Sequence, residues 1–190
     1  RRLAESPEQL AAMSRAAFST CDGRGTGRVL TQIAPEHSDT GDEVTLRPAS
    51  ADDCELVWNW QNEPHIRRHF RNPDPPGWEE HQLWFERQLN DLRGAMCIIE
   101  LGGTACGLLR LDPLDEDCRF EVSILVSTQY QGQGIGTAGL KLAPLLLPWA
   151  NLVADVKSDN TQSRGAFLAA GFIDDGAGHL VRSSSHDMQQ

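Results

Sequence analysis

The sequence predicts a mixed α/β fold, a sheet flanked by helices with a phosphate-binding loop after its fourth strand. Three observations lead there. From residue 44 to about 182 the apolar pattern switches between a two-residue and a 3.6-residue period, in the order β-α-α-β-β-β-α-β-α-β-β. The segment Gln131-Gly132-Gln133-Gly134-Ile135-Gly136 lies between the β-like run Phe120–Val126 and a helical run beginning near Thr137. Alternate glycines let the backbone curl there and leave N–H groups unpaired at a helix start, which makes an anion cradle. Finally, 190 residues with 39% hydrophobic content suffice for one good core and little more.

Each element follows from local chemistry. Residues 7–18 alternate Ala, Leu and Met with polar residues at helical spacing, the turn Asp22-Gly23-Arg24-Gly25 follows, and Gly27–Ile33 is a second short helical run. Residues 34–43 are polar and aperiodic, which reads as a linker. Val44–Arg47 is the first strand, and Ser50 is the N-cap of a helix reaching Trp60, with Asp52 and Asp53 suiting the helix dipole. Trp58 and Trp60 are core candidates. Beyond the Pro-rich stretch 72–77, Trp78–Asn90 is helical; Met96–Leu101, Gly102-Gly103 and Thr104–Leu111 form a hairpin; and Arg119–Ser127 is a central strand. A helix, the strand Val153–Val156, a second helix and short strands near Phe172-Ile173 and His179–Arg182 close the fold. Ser183–Gln190 has no core-forming pattern and is expected to be disordered.

Composition excludes several classes. The formal net charge of −10 argues against a duplex nucleic-acid partner, whose phosphates need a basic face. No apolar run is long enough to span a bilayer, because Leu140–Leu152 is broken by Lys141, Pro144 and Pro148. The chain opens on Arg1 rather than Met and shows no basic region followed by an apolar one, so its start reads as a cut or processed end and a cytoplasmic location is expected. Five scattered cysteines without a Cys-x-x-Cys pair fit a reducing compartment and supply no metal-ligand pattern.

The glycine loop resembles the acyl-CoA pyrophosphate loop of the GCN5-related N-acetyltransferases, Gln131, Gly134 and Gly136 filling its fixed positions. Downstream, Val153–Val156 and then Asn160-Thr161-Gln162-Ser163, Phe167 and Gly171-Phe172 resemble the Asn-x-x-Ala/Ser…Tyr-x-x-x-Gly-Phe signature of the same family. The resemblance implies a mostly antiparallel central sheet with flanking helices over residues 44–182, and direct acyl transfer from acetyl-CoA to an amine. Gln131, Gly132, Gly134 and Gly136 are then the pyrophosphate cradle. Backbone groups of Leu125, Val126 and Ser127 are expected to pair with pantetheine and polarise the thioester, and Asn160 to bond the pantetheine arm. Phe167 stands where many relatives carry the tyrosine that protonates the leaving thiolate. Tyr130, the one tyrosine of the chain, is the substitute candidate. Glu121 is the first candidate for the general base and His81 the second.

Trp58–Arg68 and Trp78–Phe85 resemble the Trp-x-Asn-x-Pro and Glu-Glu-His-x-x-Trp-Phe elements of the aminosugar N-acetyltransferases of the pseudaminic acid pathway, which implies a UDP-linked amino-deoxy sugar acetylated on its 4-amino group. His65, Arg67 and Arg68 are the expected contacts to that substrate. Met13–Phe18 and Asp22–Val29 resemble the C-terminal end of the nucleotide-sugar hydrolases of that pathway. On this reading residues 1–34 are the remnant of an upstream hydrolase domain, 35–43 a linker, 44–182 the acetyltransferase and 183–190 a tail, within a larger hydrolase-acetyltransferase polypeptide. Two alternatives remain open: a protein N-terminal acetyltransferase, and a non-catalytic acyl-CoA-binding module.

Overall fold

The computed structural model describes Met13, residues 25–114 and residues 118–184. The helix expected over residues 7–18 lies outside these residues apart from Met13, which is helical. The described elements are α1 (Gly25–Ile33), β1 (Glu36–His37), β2 (Glu43–Pro48), a 3₁₀ turn (Ala51–Asp53), α2 (Cys54–Asn62), α3 (Pro64–Arg67), α4 (Trp78–Asn90), β3 (Ala95–Leu101), β4 (Thr104–Pro113), β5 (Arg119–Val126), a second 3₁₀ turn (Thr128–Tyr130), α5 (Ile135–Leu146), β6 (Asn151–Asp155), α6 (Thr161–Ala169), β7 (Ile173–Asp174) and β8 (His179–Arg182). The strands form one sheet in the order β1-β2-β3-β4-β5-β6-β8-β7. Every neighbouring pair is antiparallel except β5 with β6, which is parallel.

Alternation along the strands divides the core between two faces. Val44, Leu46, Ile99, Leu109, Leu111 and Val122 pack with Ile135, Leu140 and Phe167 on the side of α5 and α6. Ile98, Leu108 and Leu125 face Val57, Trp60, Ile66 and Phe85 of α2, α3 and α4. The start of α2 is fixed by a reciprocal cap: Asp53 accepts from the backbone N–H of Ser50 at 2.7 Å and from its hydroxyl at 3.1 Å. Arg47, reaching across from β2, donates to both Asp53 oxygens at 2.8 and 2.7 Å and to Glu100 at 2.8 Å. Burial alone would raise the Asp53 carboxyl pKa; the bonds from Arg47 and Ser50 outweigh it and hold the carboxyl below its ordinary value.

The N-terminal boundaries differ from expectation. Residues 35–43 are not a free tether, because Glu36 and His37 pair with Val44 and Glu43. The intervening turn is cross-bonded, with Ser38 N–H to Asp42 O at 2.9 Å and Asp42 N–H to Ser38 Oγ at 3.1 Å. Helix α1 belongs to the same fold. Beyond the two-residue β1, the outer edge of β2 exposes the Leu46 carbonyl, which accepts from Thr31 Oγ1 at 3.2 Å and Gln32 Nε2 at 2.8 Å. At the other end of the chain, Ser184 is buried and donates its N–H to Asn151 Oδ1 at 2.8 Å, so order extends at least two residues into the expected tail. Residues 185–190 lie outside the described part. Among the described residues no helix is long and apolar enough to cross a membrane.

Candidate active site

The site arises from an incomplete strand pair. Strand β5 pairs with β4 along its length, from Phe120 opposite Pro113 to Val126 opposite Gly107. It pairs with β6 only through Arg119–Asn151, Phe120–Leu152 and Glu121–Val153, after which the two strands part. Backbone groups on the β6 side of Val122–Val126 therefore lack a strand partner and open into a cleft of about 630 Å³. The alternation of an antiparallel ladder decides which groups these are. Ser127 N–H donates to Cys106 O at 2.9 Å, so the backbone of Ile124 and Val126 faces the opening. The Leu125 carbonyl faces β4, where it lies 2.5 Å from the position a β-carbon on Gly107 would take. Of the three backbone positions expected to meet pantetheine, Val126 turns its groups to the opening, Leu125 turns its groups to β4, and Ser127 bonds Cys106 O through its N–H and Tyr130 N–H through its carbonyl.

At one end of the cleft stands the glycine loop. Gly132 and Gly134 have φ of +74° and +75°, a conformation that L-residues with a β-carbon adopt only at a cost. Gly134 is the N-cap of α5, and the first helical bond is Ala138 N–H to Gly134 O at 3.0 Å, so the N–H groups of Ile135, Gly136 and Thr137 have no partner within the helix. Gln131 does not reach outward; its Nε2 donates to Val126 O at 2.9 Å and ties the loop to the end of β5. Asp39 closes the loop from outside. Its N–H donates to Gln133 O at 2.9 Å, and its carboxylate packs so closely that a β-carbon on Gly134 would lie 2.7 Å from Asp39 Cγ.

At the other end is a charged group. Glu121, from β5, accepts from Arg71 Nη2 at 2.6 Å, and the same nitrogen donates to Asp155 of β6 at 3.2 Å. The charge of Glu121, more than any other influence, holds the Arg71 guanidinium pKa above its ordinary value. Lys157 fixes the chain around Arg71 by donating to Arg68 O at 3.1 Å and Phe70 O at 2.7 Å. The corner between α2 and α3 is held by Glu63, which accepts from the backbone N–H of Thr128 at 3.2 Å and from its hydroxyl.

Most expected residues line this cleft: Glu121, Tyr130, Leu125, Val126, Gln131, Gly132, Gly134, Gly136, Asn160, Phe167, His65 and Arg67. Asn160 uses its Oδ1 to cap α6 through Ser163 N–H at 3.1 Å, which leaves its amide NH₂ for a ligand. Phe167 is locked edge-on against Phe172, ring centroids 4.9 Å apart. Beyond the turned backbone of Leu125, four expectations fail on geometry. His81 is 1% exposed, stacks among Trp78, Trp84 and Phe85, and bonds Cys54 O at 2.9 Å through Nε2. Burial lowers its pKa, so it packs as a neutral core residue and stands outside the cleft. Arg68 is exposed, does not line the cleft, and points its Nε at His69 Nε2, 3.0 Å away. Ser127 is buried outside it. Arg67 does line it, but its Nη2 is committed to the carbonyls of Asn72 and Asp74, both at 2.7 Å, so it braces a loop rather than offering a free fork. Asp155, Lys157 and Asp39 carry no assignment from sequence, and Arg71 carries one only as a member of the basic cluster Arg67, Arg68 and Arg71, which reads either as a solvated helix end or as a substrate-phosphate contact. The period-two step from Val153 to Asp155, which puts Asp155 on the face of Glu121, is the signal that could have found the first.

The geometry agrees with the comparisons. The family model described as an acetyltransferase (GNAT) domain matches residues 43–173, and the chain belongs to that family. The spermidine N(1)-acetyltransferase of Escherichia coli K12 is 27% identical over 101 residues, 53% of this chain and 54% of its own length. The chain thus spans about half the length of the curated relatives it matches. The aminoglycoside acetyltransferase AAC(6')-Ib, solved with coenzyme A and kanamycin, superposes with a TM-score of 0.66 at 20% identity, covering 77% of this chain and 98% of its own. The Vibrio cholerae spermidine N-acetyltransferase, solved with CoA and spermine, gives 0.63 at 18% identity, covering 73% and 91%.

Proposed function

We propose that this protein transfers the acetyl group of acetyl-CoA directly to the primary amine of a small molecule, and that the acceptor is a UDP-linked amino-deoxy sugar modified at its 4-amino group. One observation carries the transfer reading: the opening between β5 and β6 runs unbroken from a glycine loop with unpaired N–H groups to a carboxylate, Glu121, at its far end. The loop and the start of α5 offer backbone donors for a pyrophosphate, and the edge at Ile124 and the Val126 N–H, beside the Val126 carbonyl that Gln131 already bonds, offers the pairing that an extended pantetheine arm needs. Matching acetyltransferases hold acetyl-CoA or CoA in solved structures, which supports the same cosubstrate here.

In the transfer the amine nitrogen attacks the thioester carbonyl, the C–N bond forms, and collapse of the tetrahedral adduct breaks the C–S bond. Glu121 takes the proton the amine sheds, directly or through one water. The thiolate leaves with the C–S electron pair and is protonated by water or by Tyr130, since Phe167 has no hydroxyl to give. A free thiol pKa of about 8.5 makes that departure tolerable without a strong acid. The sugar assignment is supported by the resemblance of the segments around Trp58 and Trp78. The deciding experiment follows CoA release with UDP-4-amino sugars, spermidine and N-terminal peptides as acceptors. Release with a UDP-aminosugar supports the full reading. Release only with spermidine or a peptide overturns the sugar assignment, and tight acetyl-CoA binding without release to any amine overturns transfer itself.

A further inference from the structure

We propose that Glu121 and Asp155 together bind the ammonium group of the acceptor, and that Arg71 is a resident cation which the acceptor displaces. The inference rests on the acetyl-transfer reading above and adds an acceptor-binding residue, Asp155, and a gate, Arg71. The two carboxylates come from strands on opposite sides of the opening: Glu121 in the last β5–β6 pair, and Asp155 two residues past its partner Val153. Arg71 Nη2 bridges them, at 2.6 Å from Glu121 Oε1 and 3.2 Å from Asp155 Oδ2, and Nη1 adds a longer bond of 3.4 Å to Glu121 Oε2. One nitrogen shared by two carboxylates is the contact set that a primary ammonium would make.

The pairing is asymmetric in a way that allows exchange. The Arg71 side chain is 71% exposed and that of Glu121 only 20%, so the cation sits on the solvent side of the carboxylate it covers. Solvent at the exposed guanidinium screens the pair, and the longer arm to the half-exposed Asp155 is the one most readily exchanged. The backbone around Arg71 is tethered by Lys157 to Arg68 O and Phe70 O, so the side chain can swing away while the loop stays. Charge supplies the selectivity. The groups facing Glu121 are Arg71 from the loop, Asp155 from β6 and, opposite on β4, Asp112, which Arg110 already pairs at 2.8 Å. Removing Arg71 without replacing its charge leaves neighbouring carboxylates uncompensated. A protonated amine restores the balance and a neutral hydroxyl does not, so the gate favours amines over alcohols. Once bound, the ammonium gives one proton to Glu121, which passes it to solvent before taking the second proton that the nitrogen sheds on attack, while Asp155 stays ionised and orients the amine.

Steady-state kinetics of two variants with the UDP-aminosugar test this. Asp155→Asn should raise the acceptor KM by about tenfold or more, the loss expected of a bond between charged groups, with the acetyl-CoA KM unchanged. Arg71→Gln should lower the acceptor KM, because the competing cation is gone. An increase in KM for Arg71→Gln, as if Arg71 gripped an anionic part of the acceptor, overturns the proposal; so does an unchanged KM for Asp155→Asn. A second readout needs no turnover. Phenylglyoxal labelling of Arg71, mapped by mass spectrometry, should be faster in methylammonium chloride than in sodium chloride of equal concentration, and already fast in Asp155→Asn without either. Equal rates in the two salts for the unmodified protein overturn the proposal even where no acceptor turns over, whereas absent turnover of the UDP-aminosugar with faster labelling overturns only the choice of acceptor.

Discussion

Replacing Gly134 by alanine separates two costs that the glycine loop carries, because Gly132 provides an internal control. Both residues have nearly the same positive φ, +74° and +75°. A β-carbon at Gly132 meets nothing within 4 Å, whereas at Gly134 it would lie 2.7 Å from Asp39 Cγ and 3.1 Å from the Asp39 nitrogen. Gly132→Ala should therefore cost only the left-handed conformation, about 1–2 kcal/mol. Gly134→Ala should cost that and also drive the 38–42 turn off the loop, breaking the Asp39 N–H to Gln133 O bond of 2.9 Å, a further loss of about 0.5–1.5 kcal/mol. Urea denaturation of the two single variants, of Asp39→Gly and of the Gly134→Ala/Asp39→Gly double variant gives a cycle. The double variant should recover part of the Gly134→Ala loss, and calorimetry should show acetyl-CoA affinity falling more for Gly134→Ala than for Gly132→Ala. Equal losses at the two glycines, with strict additivity to Asp39→Gly, would refute the idea that Asp39 shapes the loop.

Three further outcomes are expected. Glu121→Gln should lower kcat by about 10²–10⁴-fold with acetyl-CoA affinity spared, and the deficit should shrink as pH rises and more amine is already neutral; a deficit independent of pH removes Glu121 as base. Phe167→Tyr should raise kcat only where thiolate protonation limits the rate, so a solvent-isotope comparison of the two proteins distinguishes an assisted from an unaided departure; because the buried ring packs edge-on against Phe172, the melting temperature is measured alongside to separate loss of fold from chemistry. Asp53 has a folded pKa below its unfolded value of about 3.9, so its contribution is fully present above that pH and disappears as pH falls through the lower, folded value. Arg47→Met should flatten that acid limb in a stability-against-pH series and leave the profile near neutrality parallel to the original.

What the sequence revealed and what it hid follow the range of the interactions. The glycine loop, the cap at Ser50 and the helix Trp78–Asn90 were legible because each is decided within a few residues. The edge strand Glu36–His37 was not, since two residues show no periodicity and their pairing depends on the cross-bonded turn at Ser38–Asp42. His81 was read as a candidate base from its residue type, but its burial comes from tertiary contact with Trp78, Trp84 and Phe85. The three arginines near residue 70 looked equivalent in sequence. Folding gives each a different fate: Arg67 braces the loop, Arg68 faces solvent, and Arg71 spans 50 residues of sequence to Glu121 and 84 to Asp155. No local pattern encodes a contact at that separation.

The strand order has a mechanical consequence. The gap that serves chemistry also divides the sheet into unequal leaves, β1 to β5 on one side and β6, β8 and β7 on the other, hinged on three residue pairs and the apolar contacts of α5. On the proposed reading, a pantetheine arm paired to the β5 edge and bonded by Asn160 at the start of α6 acts as a splint between them, supplying contacts that the polypeptide omits. Ligand that binds the closed leaves and not the separated ones stabilises the whole by mass action. The rigidity of the C-terminal leaf is then partly borrowed from acetyl-CoA, and its durability in a cell tracks the supply of that thioester.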